Sequence, residues 1–263
     1  MASDERRDMN DFPQPSSGSN GFPPPPPLGA PVPGYPTPAN SSSLDSAPLS
    51  TALAGWTYWL LIAVAVLAGA LAVVAFGVGQ SADEANTSGS LSSLSTWVDR
   101  ARLYDNISPL YGVVSLATGI LLIIFSFKAY KAAQMLWFGP RKWSRGWSVG
   151  GWFIPFANCY IPVSVLIETD KISRANRSSG RALDGWQTSP RDSKFVVWFV
   201  LYTVGILLVS RIGSLDTDTD NIDEYAQALR SGALGYALVC AACLTGAAVL
   251  KKMAARLSAS SIG

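Results

Sequence analysis

Histidine does not occur in these 263 residues. Its absence removes the commonest metal ligand, the usual haem ligand and the side chain that most often acts as general base near neutral pH. Charge is sparse too, at 14% of residues against 49% hydrophobic, whereas an ordinary soluble domain carries about 25% charged residues. The net charge of +2 is too small to suggest nucleic-acid binding, which needs clustered Lys and Arg dominating a whole domain. Cysteine is confined to Cys159, Cys240 and Cys243, all inside apolar stretches, so no extracellular disulfide framework can be drawn. No apolar run occurs before about residue 53, too late for a cleavable signal peptide, so the first apolar run is expected to stay in the chain.

What is present begins with a tail. Residues 1–50 hold 12 of the 17 prolines, including the run Pro23 to Pro27, with Ser, Gly and Asn filling most of the rest. Such a segment cannot bury a core and is expected to be disordered. Consecutive prolines favour an extended polyproline II arm that could dock on an aromatic-lined groove of a cytoplasmic protein partner.

Four stretches satisfy the roughly 20 residues needed to cross about 30 Å of hydrocarbon as helix: 54–77, 109–127, 195–212 and 232–250. The first is fronted by Trp56, Tyr58 and Trp59, aromatic anchors for a headgroup boundary. The second starts with Pro109, expected at the first helical position. The third reaches its length if Arg211 snorkels, and the last stops at Lys251 and Lys252. The core of each span lacks Asp, Glu, Lys and Arg, the costly groups that ion-coupled transporters and proton relays place at membrane depth. Small residues four apart occur instead: Ala65 with Gly69, Ala68 with Ala72, Ala237 with Ala241, and Ala242 with Gly246. That spacing predicts close packing of the first and last spans.

A fifth apolar stretch, from Trp147 to Ile167, is interrupted by Gly150, Gly151, Pro155 and Pro162. Basic residues decide its path. If the stretch returns to its own side and the N-terminus is cytoplasmic, 16 Lys and Arg fall inside and 4 outside; if it crosses, the split is 9 against 11. Cytoplasmic loops favour Lys and Arg, so four crossings are expected, with both termini cytoplasmic in a cell membrane. The expected fold class is an all-α membrane protein: four transmembrane helices, a Pro/Gly-broken re-entrant or interfacial helical hairpin over 147–167, and a disordered N-terminal tail. The integral domain covers 51–256, followed by a short tail over 257–263. Residues 155–158 would make the turn of the hairpin, with Asn158 satisfying backbone groups at the bend.

Just upstream, Lys128, Lys131, Arg141, Lys142 and Arg145 alternate with Trp137, Trp143 and Trp147, with no acidic residue among them. Trp143 and Trp147 are four apart and would share a helix face. Basic and aromatic residues in this pattern suit the headgroup layer of an anionic inner leaflet, and they can hold topology, recognise a lipid headgroup or dock a protein. The candidate interface is therefore Arg141, Lys142, Trp143, Arg145, Trp147, Trp152, Pro155, Asn158 and Pro162.

The arrangement of Arg141, Trp143, Gly146, Trp147, Gly151, Trp152, Phe153, Pro155, Phe156, Asn158 and Pro162 resembles the signature of the domain of unknown function 4328 family. The resemblance, over roughly 55–255, implies a mainly actinobacterial multi-span membrane protein, often with a proline-rich N-terminal tail. Family members often carry a basic residue just before the second proline and an aromatic pair at the glycine position, where this chain has Ile161 and Gly151. The family offers no established activity.

Weaker patterns remain. Asp216, Asp218 and Asp220 occupy the first three ligand positions of a calcium loop, but Asn221 and Gln227 break the pattern, and a helix running from about Asn221 into the last span is the simpler reading. Cys240 and Cys243 have redox-motif spacing without a basic neighbour, which favours plain packing. In 78–106, Leu91, Leu94, Val98, Ala101 and Tyr104 recur at helical spacing, predicting a short amphipathic helix on the outer surface. No metal or other cofactor is expected. The leading functional expectation is a non-enzymatic scaffold or interaction protein. A pore using Asn158, Ser115, Thr118, Thr203 and Thr245, and a lipid-active enzyme using Glu168, Asp170 or Asp184, are the alternatives.

Overall fold

Ser50 starts the first helix: its hydroxyl accepts from the Leu53 N–H at 3.2 Å, satisfying one of the donors a helix N-terminus leaves free. The computed structural model describes residues 49–137, 141–158, 160–179, 186–187, 189–213 and 222–259. Its elements are α1 (Thr51–Ser88), α2 (Leu91–Leu136), α3 (Trp147–Gly150), α4 (Pro155–Asn158), α5 (Ile161–Ser179), α6 (Ser193–Gly213) and α7 (Ile222–Ala259). Among the described residues there is no strand. The Pro-rich tail up to residue 48, Cys159, Asp184 and the aspartates of the calcium-like pattern at 216–220 lie outside them.

Four helices, α1, α2, α6 and α7, are long and apolar enough to cross a bilayer, in agreement with the expected fold class. Three of them outrun the membrane. At about 1.5 Å per residue, the 38 residues of α1 and of α7 reach roughly 57 Å, nearly twice the hydrocarbon thickness. The expected outer loop over 78–106 is therefore not a loop. α1 runs to Ser88, Gly89 turns the chain with φ 58°, and Ser90 caps α2 by accepting from Ser93 N–H at 3.2 Å. The residues expected to form a separate surface helix are the first turns of α2, with Tyr104 buried against the bundle and Leu91 exposed. Hydropathy misplaced this boundary because Asp83, Glu84, Asp99 and Asp105 are unsuited to lipid but compatible with a helix standing in water. Pro109 is likewise inside α2 rather than at its start, where it removes the backbone bond to the residue four before it and its ring crowds that residue's carbonyl.

The helices form an arc in the order α2, α1, α7, α6, with α1 and α7 most extensively in contact. That pair packs through small residues, as expected: Ala65, Ala68 and Ala75 are buried, and a Cβ at Gly69 would lie 3.7 Å from Cys240 Sγ. Ala237 and Ala241, by contrast, are exposed, so this pair does not contribute to the seam. Gly246 faces α6: a Cβ there would lie 2.6 Å from Trp198 Nε1. At the far end of α1 and α7, Asp83 pairs with Arg230. Between α2 and α7, Tyr104 and Tyr236 share a hydrogen bond of 3.0 Å, and Tyr111 stacks edge-on to Tyr236 at 5.4 Å.

The stretch from Trp147 to Ile167 is broken, not a straight rod. α3 and α4 have four residues each. Pro162, expected to cut the run, instead occupies the second position of α5, where its missing N–H costs nothing. α5 continues to Ser179, beyond the expected end of the hairpin and into a region expected to be loop. It is not among the helices apolar enough to cross. It lies against the adjacent ends of α2 and α7, with Val165, Leu166, Thr169, Ile172 and Ser173 almost fully buried.

Candidate functional site

The basic residues after α2 would repel one another if all pointed to water. Arg141 does not. Its side chain is 5% exposed and its Nε lies 3.3 Å from Glu168 Oε1, itself 6% exposed. Nη1 donates to the Tyr130 carbonyl and Nη2 to Thr169 Oγ1, each at 3.2 Å, while the guanidinium sits 3.8 Å from the centre of the Tyr130 ring. The expectation that Arg141 faces headgroups is therefore corrected: it is an internal tie between the end of α2 and α5. The fork geometry of arginine suits this place, because a lysine ammonium could not reach all these partners at once.

Two residues along α5, Asp170 is 2% exposed and forms a second tie. It pairs with Arg174 on its own helix and accepts from Arg256 Nη1 on α7 at 2.7 Å. Arg174 also lies 3.4 Å from Asp192, and Lys171 donates to the Gln187 carbonyl at 3.1 Å, which ties the approach to α6 onto α5. Of the three carboxylates named for the enzyme alternative, Glu168 and Asp170 are thus held in ion pairs, and Asp184 lies outside the described residues. Sequence reading treated them as loop charges balanced by Lys171 and Arg174. The missed signal was the helical spacing of Val165, Leu166, Thr169, Ile172 and Ser173, which marks one buried face with Asp170 on it.

Lys142, Trp143, Arg145 and Trp147 remain at the surface. Lys142 and Arg145 are exposed. Trp143 and Trp147 do meet, with ring centres 5.9 Å apart and edge to face, although not on one helix: Trp143 lies in a bend and Trp147 opens α3. Trp143 is fixed from both ends, since its Nε1 donates to Ser164 Oγ at 2.9 Å and its carbonyl accepts from Tyr130 OH at 2.8 Å. Lys142 Nζ donates to Tyr160 OH at 2.8 Å, a contact that lowers the Tyr160 pKa below its ordinary value by favouring the phenolate. Arg145 lies over the Phe127 ring at 4.9 Å.

These side chains wall an open polar depression of about 470 Å³, lined by Tyr130, Gln134, Trp137, Arg141, Lys142, Trp143, Ser144 and Trp147. The Trp137 indole N–H has no partner among the described residues. The depression therefore offers cationic groups and aromatic faces side by side.

The remaining candidates lie elsewhere. Trp152 and Asn158 line a separate apolar cavity together with Pro162. Pro155 opens α4. Asn158 was expected to satisfy the backbone at the bend; instead its side chain is exposed and its own N–H donates to the Ile154 carbonyl at 2.7 Å, so the short helix α4 satisfies itself. Gly151 is required by contact. A Cβ there would lie 2.8 Å from Ile161 Cγ2 and 2.9 Å from the Trp147 carbonyl. The two positions at which the sequence departs from the resemblance, 151 and 161, thus touch each other, and a small residue at one accommodates a branched one at the other. Two of the hydroxyls proposed for a pore are bonded back to their own helices, Thr118 to the Val114 carbonyl at 2.7 Å and Thr245 to the Ala241 carbonyl at 2.8 Å, whereas Ser115 Oγ is buried without a partner among the described residues.

Comparison with curated proteins and with solved structures gives no match. The model of one family, described as "Domain of unknown function (DUF4328)", matches residues 101–255, which takes in most of α2, the whole tryptophan-rich turn, α5, α6 and nearly all of α7. With more than half of its length matched, the chain belongs to the DUF4328 family.

Proposed function

We propose that this protein is a non-enzymatic interaction protein of the cell membrane that holds an anionic lipid headgroup in the basic aromatic depression at its cytoplasmic face. The depression beside Lys142 and Arg145 carries this reading. Arg141 is neutralised by Glu168, whereas Lys142 and Arg145 are exposed and their side chains have no carboxylate among their described contacts, and the tryptophans around them suit the headgroup layer. In the same reading both termini are cytoplasmic, and the Pro-rich tail extends from this face as a docking arm for a protein partner.

Each basic side chain near an anionic surface contributes about 1 kcal/mol, so the double substitution Lys142→Gln with Arg145→Gln should lower affinity for phosphatidylglycerol by about tenfold or more. Native mass spectrometry of the detergent-purified protein, titrated with phosphatidylglycerol or phosphatidylcholine, measures this directly. Equal retention of both lipids by the unaltered protein would defeat the reading. The orientation has its own check. A cysteine replacing Ser179 should react with a membrane-impermeant maleimide only from the cytoplasmic side, and one replacing Ser90 only from the opposite side, because three long helices place those two positions at opposite ends. External labelling at position 179 would reverse the assignment.

A further inference from the structure

The four spans do not close into a ring. α2 and α6 are the two ends of the arc and share no backbone contact among the described residues. Between them lies a cavity of about 220 Å³ to which α2 contributes Tyr111, Ser115 and Gly119, and α6 contributes Phe199, Tyr202 and Ile206. On each helix these positions are three or four apart and so occupy one face. Gly119 keeps the space open, since a Cβ built there meets no atom within 4 Å. Both walls belong to helices that cross the bilayer, so the gap between them opens laterally onto lipid.

Shape and chemistry choose the occupant. A slender, flexible chain can follow a gap between two helices that widens at Gly119, whereas a helix about 10 Å across would need the walls to part along their whole length. Water is disfavoured as well, because apolar cavities near 150 Å³ stay dry and take up apolar solutes. At the end of the cavity formed by the tryptophan-rich turn stands Trp152, whose indole N–H is buried without a hydrogen-bond partner among the described residues. The exposed amide of Asn158 is there too. We infer that the cleft between α2 and α6 binds one acyl chain of a membrane phospholipid, with the chain along the apolar walls and an ester carbonyl accepting from Trp152 Nε1. The site shares no lining residue with the headgroup depression, so it stands apart from that reading.

The test uses the full chain reconstituted with a phospholipid carrying a photoreactive diazirine in its acyl chain, with phosphatidylcholine and phosphatidylglycerol versions run in parallel. Adducts are mapped by peptide mass spectrometry. Both headgroups should label the cleft residues Tyr111 and Tyr202 in preference to the outward-facing Val113 and Leu116, and excess unlabelled lipid should compete the labelling away. Gly119→Leu fills the cleft and should reduce cleft adducts at least fivefold. Gly112→Leu, at another glycine with open space around it but outside the cleft, should leave them unchanged. Labelling spread evenly over all outward faces, labelling that does not saturate, or labelling confined to phosphatidylglycerol would overturn the proposal. So would a dimer that Gly119→Leu converts to monomer, since the cleft would then hold a second copy. Persistence of cleft adducts in the Lys142→Gln, Arg145→Gln protein separates this outcome from that of the headgroup experiment. The competition arm decides the matter without any substitution should Gly119→Leu fail to fold.

Discussion

Replacing Glu168 with Ala is expected to destabilise the protein by about 3–5 kcal/mol, the range for removing one partner of a buried ion pair. The reason is the charge left behind. Arg141 is 5% exposed, and without the carboxylate it keeps only the Tyr130 carbonyl, Thr169 Oγ1 and the face of the Tyr130 ring. The backbone N–H of Lys142, which donates to Glu168 Oε1 at 3.1 Å, loses its acceptor as well. Because the penalty comes from an uncompensated charge, Arg141→Ala combined with Glu168→Ala should cost clearly less than the sum of the two single changes. The measurement is a double-mutant cycle of unfolding in detergent micelles. Additive losses would show that the pair is not coupled and that α5 is held by its apolar face alone. Arg141→Lys should recover only part of the loss, since an ammonium cannot engage Glu168, Tyr130 and Thr169 together.

The second large effect is expected where α6 crosses α7. Gly205 and Gly235 face each other so closely that a Cβ on Gly235 would lie 2.7 Å from the Gly205 carbonyl oxygen and 2.9 Å from Val209 N, and a Cβ on Gly205 would lie 2.8 Å from the Gly235 carbonyl oxygen. Both obstacles are backbone, which cannot rotate away as a side chain can. In lipid such close approach is a main source of helix association, since hydrocarbon offers no hydrophobic drive between helices. Gly235→Leu should therefore cost about 3 kcal/mol, at or beyond the top of the usual overpacking range, and should lower the midpoint of thermal unfolding in micelles. Gly232→Ala makes an informative comparison. There the obstructing atoms are Cδ1 and Cγ1 of Ile212, the end of a flexible side chain, so the loss should be smaller. Equal losses at 232 and 235 would mean that α6 shifts bodily and that the glycine contact does not set its position.

How much was legible in advance differs from element to element. The four spans were, because 20 apolar residues without a charge have few other uses and each can be judged from its own composition. The α1 side of its packing on α7 was also legible, since small residues four apart mark one helix face before any partner is known; on α7 the same spacing misled, because Ala237 and Ala241 are exposed and Gly246 meets α6. The breaks at Gly151 and Pro155 were legible for a similar local reason. The ends of the helices were not. Residues 78–108 carry charge that hydropathy scores as loop, although the caps at Gly89 and Ser90 and the contacts of Tyr104 make them helix. Nor was the division of the basic cluster. Arg141, Lys142 and Arg145 look alike in the chain, and only the position of Glu168, 27 residues further on, turns the first inward while the other two stay exposed.

Residue type and spacing along the chain were enough to show an all-helical membrane protein with a broken tryptophan-rich turn, because bilayer insertion depends on properties that each short segment carries alone. Which arginines are spent on buried carboxylates, that Asp170 joins α5 to Arg256 on α7, and that α2 and α6 leave a cleft between them all depend on distant segments meeting. Ion pairing and cavity shape are properties of those meetings, so they emerge only when the helices are assembled in space.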